Sequence, residues 1–184
     1  MVVRVSKPKF NLRNVLTESN YGRVPYHKMP PGSIIQVVDH KANNSPTKTG
    51  SDYETIEGCT FSIYPKFKSS QILVSWDFGT EHNGLINGLA FRVYRQIEHL
   101  DAADGTIESL LKSQDQYSYP TQTGWGAGAG GVNITYIDEP LTTAKVTYFL
   151  QWHVEGGGTY YINYNDGGVG AKNGIAAQAM EIRQ

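Results

Sequence analysis

Residues 145–164, KVTYFLQWHVEGGGTYYINY, restrict the fold more than any other stretch of the chain. Val146, Tyr148, Leu150, Trp152 and Val154 fall on one parity and Thr147, Phe149, Gln151 and His153 on the other. That is the period-2 pattern of a strand with one side in a core. Gly156, Gly157 and Gly158 supply positions that accept positive φ, and Tyr160, Tyr161, Ile162 and Tyr164 restart a β-branched and aromatic run, so the spacing predicts a β-hairpin. An isolated hairpin is only marginally stable in water. It needs a larger sheet, and a second sheet to cover its apolar face.

Elsewhere the same alternation recurs at short intervals. Ile34, Ile35, Val37 and Val38 predict a first strand, followed by a polar loop over 41–51 rich in turn-forming residues. Residues 53–55 and 59–64 follow, and in the second of these Cys59, Phe61 and Ile63 share the inward parity. Ile72, Val74, Trp76 and Phe78 alternate with Gln71, Leu73, Ser75 and Asp77 in a core strand. A glycine and asparagine loop is expected at 79–88, then a strand with Leu89, Phe91 and Val93 inside and Arg92 outside. The pattern weakens over 98–112, where TIESLLK, residues 106–112, suggests a short helix capped by Thr106. Residues 114–131, QDQYSYPTQTGWGAGAGG, form the longest irregular stretch. Residues 132–137 resume as a strand, NDGG at 165–168 reads as a turn, and 175–182 close the sheet. Many strands separated by turn signals, without alternating helices, predict an all-β antiparallel sandwich, with the jelly roll as its eight-stranded solution.

Before this domain, assigned to residues 32–184, lies an arm at residues 1–31. Val2, Val3 and Val5 suit a sheet edge, residues 11–18 suit a turn or two of helix, and Pro25, Pro30 and Pro31 deny the remainder a regular ladder. Such an arm either folds back on its own domain or threads between subunits. Arg4, Phe10, Leu12, Tyr21 and Tyr26 are its candidate anchoring residues.

Composition narrows the chemistry. A chain of 184 residues can bury a full core as one domain plus an arm. Sixteen basic and 17 acidic residues give a net charge of −1 and no broad basic field, so nucleic acid is not expected as a partner. A single cysteine, Cys59, excludes an intrachain disulfide and suits assembly in a reducing cytosol. No run of 18 apolar residues is present, and the N-terminus lacks the apolar core and cleavage site of an export signal, so neither membrane insertion nor export is expected.

Motifs for catalysis or cofactors are correspondingly sparse. GAGAGG, residues 126–131, matches G-x-G-x-x-G, but a strand rather than a helix is expected after it, leaving no helix N-terminus for a pyrophosphate. No Lys-Ser or Lys-Thr follows these glycines. His27, His40, His82, His99 and His153 lack metal-ligand spacing, and no G-x-S-x-G elbow is present, so no cofactor or metal is expected. A glycosidase-type carboxylate pair is not constrained by spacing, because its two groups need only meet in space. What stands out is a surface: Tyr117, Tyr119 and Trp125 can form an aromatic platform for a glycan or protein, pack at a subunit interface, or simply pack their own loop.

Several segments together carry a likeness: PPGSIIQVV at 30–38, IEGCTFSIYPKFKSSQILVSWDF at 56–78, VNITYIDEP at 132–140, TYFLQWHV at 147–154, GTYYINY at 158–164 and the terminal AMEIRQ. In these the chain resembles the small jelly-roll virion proteins of tailed bacteriophages, especially cyanobacterial and marine ones, called tail-fibre-like. The resemblance spans about residues 30–184 and lies in strands and turns rather than in a catalytic signature; the chain lacks a long repetitive stalk. It implies a non-enzymatic virion structural protein, assembled in the host cytoplasm as a homo-oligomer, with a trimer expected. Other virion proteins would be contacted through the arm, and a host-surface glycan or protein through the jelly roll. A short tail fibre or baseplate appendage is the first reading, a capsid decoration protein the second, and a carbohydrate-processing enzyme on the same fold the third.

Overall fold

The computed structural model describes residues 25–83, 86–98, 106–118, 130–156, 158–163 and 174–184. A 3-10 turn, Tyr26–Lys28, precedes eleven strands: β1 Ile34–Ala42, β2 Thr47–Thr49, β3 Glu54–Thr55, β4 Phe61–Ile63, β5 Gln71–Asn83, β6 Ile86–Glu98, β7 Thr106–Ser118, β8 Gly130–Asp138, β9 Val146–Gly156, β10 Thr159–Ile162 and β11 Ile175–Ile182.

All pairings are antiparallel, and they divide the strands into two sheets. In the first, β1, β11, β5 and β8 lie side by side, and β10 with β2 flanks the far half of β5. In the second, β7, β6 and β9 are neighbours, and β3 and β4 share the other edge of β9. Taken in chain order, the pairs β1/β11, β4/β9, β5/β8 and β6/β7 are rungs of one long antiparallel ribbon wound alternately into the two sheets. That winding is a jelly roll.

The core lies between the sheets and follows the alternation read from the sequence. Val146, Tyr148, Leu150, Trp152 and Val154 of β9 are buried, as are Ile72, Val74, Trp76 and Phe78 of β5 and Leu89, Phe91 and Val93 of β6. Rings bridge the layers: Phe61 of β4 lies 5.3 Å from Trp76, and Phe78 of β5 meets Phe91 of β6 edge-on at 5.7 Å. Cys59 is fully buried, and that burial pushes its thiol well above the ordinary value. Its carbonyl accepts a 2.9 Å hydrogen bond from Trp76 Nε1, so the indole N–H is satisfied inside the core. The turn before it depends on Gly58, at φ +85°, where an added Cβ would stand 2.8 Å from Ala42 Cβ.

Four expectations are corrected. β9 and β10 do not form a hairpin: β9 belongs to the second sheet, and β10 pairs with β5 and β2 in the first. Both edges of β9 are occupied, by β6 on one side and β3 and β4 on the other, so the chain crosses to the opposite sheet. TIESLLK is not a helix but the first half of β7, because the exposed edge of β6 takes it as a partner. The loop expected at 79–88 is mostly strand, β5 running to Asn83 alongside β10 and β6 starting at Ile86 alongside β9. Likewise β1 extends to Ala42 and β2 lies inside the loop expected at 41–51.

Candidate interaction surfaces

The two best-buried carboxylates among the described residues are both engaged in holding strands together. Asp138, at the end of β8, accepts from Arg95 Nη1 at 2.7 Å and from Tyr148 OH at 2.8 Å, joining the first sheet to β6 and β9 of the second. Arg95 occupies an inward position of β6, opposite Tyr148, so its charge is neutralised where the sheets meet. Burial, and then the charge and hydrogen bond of Asp138, push the Tyr148 phenol far above its ordinary value. Glu181 of β11 is fully buried and accepts from Lys66 N at 2.7 Å, Phe67 N at 3.2 Å, Ser70 Oγ at 2.6 Å and Gln36 Nε2 at 2.6 Å. One carboxylate thus fixes the basic turn before β5 and ties it to β1.

The outer face of the first sheet is ordered in rows by strand register. Val37, Met180, Leu73 and Ile137 lie opposite one another across β1, β11, β5 and β8, with Val37 47% and Ile137 54% exposed. Towards the sheet's lower end Ile34, 51% exposed, pairs with Ile182. In the other direction the rows turn polar: Asp39, Gln178, Ser75 and Thr135, then Lys41, Ala176, Asp77 and Asn133. These polar rows floor a shallow open recess of about 310 Å³. Gln178 Nε2 donates to Asp39 Oδ1 within it.

Across the sandwich, the outward side of the second sheet carries aromatic and cationic groups, with Tyr53, Arg92, Tyr94 and His153 half-buried and Phe149 buried. The Arg92 guanidinium sits 3.5 Å above the Tyr53 ring, Tyr53 stacks on His153 at 5.0 Å, and Tyr94 stacks on Phe149 at 5.4 Å. His153 Nδ1 hydrogen-bonds the Ser51 carbonyl, and its Nε2 lies 3.7 Å from Glu155 Oε1. The sequence sets Arg92 outside and His153 on an outward parity, as a possible surface ligand in an oligomer, but does not bring these five residues together. The available signal was parity, since Phe149 and His153 lie opposite the core side of β9, and Arg92 and Tyr94 alternate with Phe91 and Val93 on β6.

Of the three residues expected to form the contact site, only Tyr117 falls among the described residues. Tyr117 lies within β7, which runs to Ser118 opposite Leu89, so residues 114–118 and 130–131 belong to strands rather than to the long loop. Tyr119 and Trp125 lie outside the described residues, as do Arg4, Phe10, Leu12 and Tyr21. Tyr26, 46% exposed, stands in the 3-10 turn with its ring edge-on to Phe67 at 5.5 Å. Among the described residues no three His, Cys, Asp or Glu side chains converge in a metal-binding group, and no helix is long and apolar enough to cross a membrane.

No protein-family model matches the chain, and no curated protein matches it. Among solved structures, a chain of the T13 viral particle of infectious bursal disease virus is 11% identical, with a TM-score of 0.38 over 80% of this chain and 35% of that one. The VP2 subviral particle of the same virus gives 14% identity and a TM-score of 0.32, over 81% of this chain and 38% of that one. The chain therefore spans little more than a third of the proteins it matches.

Proposed function

We propose that this protein is a virion structural protein that acts by contact rather than catalysis: a short tail fibre or baseplate appendage, its jelly roll displayed and residues 1–31 anchoring it. The observation that carries the reading is the use of the buried carboxylates. Asp138 accepts from two donors and Glu181 from four, all of which join sheets and turns, and this suits a rigid shell rather than a poised acid and base. The sequence likeness to tail-fibre-like virion proteins supplies the setting, and an assembly into homo-oligomers, as trimers, belongs to it. The stacked rings on the second sheet and Tyr117, Tyr119 and Trp125 are the proposed contacts for a host glycan or protein, since aromatic side chains give contact area at small entropy cost. A capsid decoration role is the second reading, because the same faces suit packing on a shell.

Labelling particles of the source virus with an antibody to the full chain tests this directly. Label on the tail or baseplate is expected, label on the shell shifts the assignment to decoration, and the absence of the chain from particles overturns both. Trp125→Ala should weaken host adsorption without changing subunit incorporation. Normal adsorption with loss of the subunit would make that region an assembly contact instead. Release of reducing sugar from host polysaccharide, abolished by a carboxylate substitution, would replace the contact reading with an enzymatic one.

A further inference from the structure

We infer that the outer face of the first sheet is the docking surface for the chain's own N-terminal segment, residues 1–24, in the free subunit. This goes beyond a role in the particle, because it concerns the protein before it joins one.

Three observations converge on that occupant. The first is the row Val37, Met180, Leu73 and Ile137, extended by Ile34 and Ile182: an apolar band across four strands with three of its members about half exposed. Beyond it lie Asp39 and Asp77, with Lys41 as the cation of that row, and Glu139 stands exposed just past the end of β8. The second is charge. Residues 1–24 hold five basic side chains (Arg4, Lys7, Lys9, Arg13 and Arg23) against one acidic, Glu18; the remainder, with eleven basic and sixteen acidic, is net −5. The near-neutral total therefore conceals a basic segment and an acidic body, and the segment interleaves its charges with Val2, Val3, Val5, Phe10 and Leu12. An apolar band beside carboxylates is the complement of such a sequence.

The third observation is where the segment is delivered. Tyr26 packs on Phe67, whose N–H is held by Glu181, and Gly32 N donates to Arg183 O at 2.7 Å, so the chain enters at the Ile34 and Ile182 end of the same sheet. Twenty-four residues can extend roughly 80 Å, whereas a face of this length and four strands spans only about 26 by 15 Å. Reach does not limit docking.

Limited trypsin digestion of the full chain, followed by mass spectrometry, reads the docking through its arginine and lysine sites. Cleavage after Lys9 and Arg13 should be at least about tenfold slower than in a synthetic peptide of residues 1–24, because a docked segment is cut only when it opens. Val37→Gln with Ile137→Gln removes two exposed apolar side chains without adding charge and should raise cleavage towards the peptide rate while the melting temperature holds. Salt near 1 M, where the Debye length is ~3 Å, should act the same way on the unaltered chain. Cleavage of the unaltered chain at the peptide rate would overturn the inference. So would protection unchanged by the double substitution, which would put the segment elsewhere, or protection that grows with protein concentration, which would put it on a neighbouring copy.

Discussion

At the scale of single residues, the buried side chains divide into those that fill the core and those that join the sheets. Trp152 is of the first kind: 1% exposed on the most regular strand, it has both strand edges paired around it. Trp152→Ala should cost about 3–5 kcal/mol in chemical denaturation; a loss below about 1 kcal/mol would mean that the site collapses around the missing indole. Tyr148 is of the second kind. Tyr148→Phe removes one of the donors to Asp138 and should cost about 1–3 kcal/mol at neutral pH. Its effect on pH dependence is a separate readout. Folding raises the Tyr148 phenol and the Cys59 thiol above their ordinary values of 10.0 and 9.0, so above pH 9 the unfolded chain releases protons that the folded chain retains. Stability is therefore full below that range and falls as pH rises through it. Urea midpoints measured on either side should decline less steeply for Tyr148→Phe; parallel slopes would show that the phenol does not govern the alkaline loss.

At the scale of elements, the facing of the core strands was legible while strand partners were not. Alternation placed Trp152, Trp76 and Phe91 inside correctly because a pleated strand repeats every two residues wherever it sits. Partnership depends on which edges are free, and no local pattern reports that both edges of β9 are taken. For the same reason β7 was hidden: Ile107, Leu110 and Leu111 carry helical spacing, and only pairing with β6 decides between the two states. Of the contact groups, the stack of Tyr53 on His153 was illegible because it joins positions a hundred residues apart. Glu181 was equally silent, a charged residue in a strand whose inward position fits only because four donors converge on it. Glu181→Leu should cost about 3 kcal/mol by orphaning those donors, and hydrogen exchange at the Lys66 and Phe67 amides should quicken. Unchanged exchange there would show that the turn holds without the carboxylate.

At the scale of the whole molecule, a closed roll and a segment outside it make separable predictions about folding and assembly. Among the described residues the buried core is drawn from 56–179, and the first ladder begins at Ile34. Removing those residues should leave a cooperative fold with a melting temperature within a few degrees of the full chain, since truncation away from buried backbone is tolerated. Two other properties should change. Loss of the proposed anchor should abolish incorporation into particles, and uncovering Val37, Met180, Leu73 and Ile137 should increase binding of a hydrophobic dye by the free subunit. The three readouts separate three roles of the segment. A truncated chain that melts far lower or aggregates on refolding would show that the segment completes the sandwich. One that folds, binds no more dye and still incorporates would show that it neither covers the sheet nor anchors the subunit. Only a stable, dye-binding and assembly-deficient subunit fits a segment stored on its own sheet and used to join the particle.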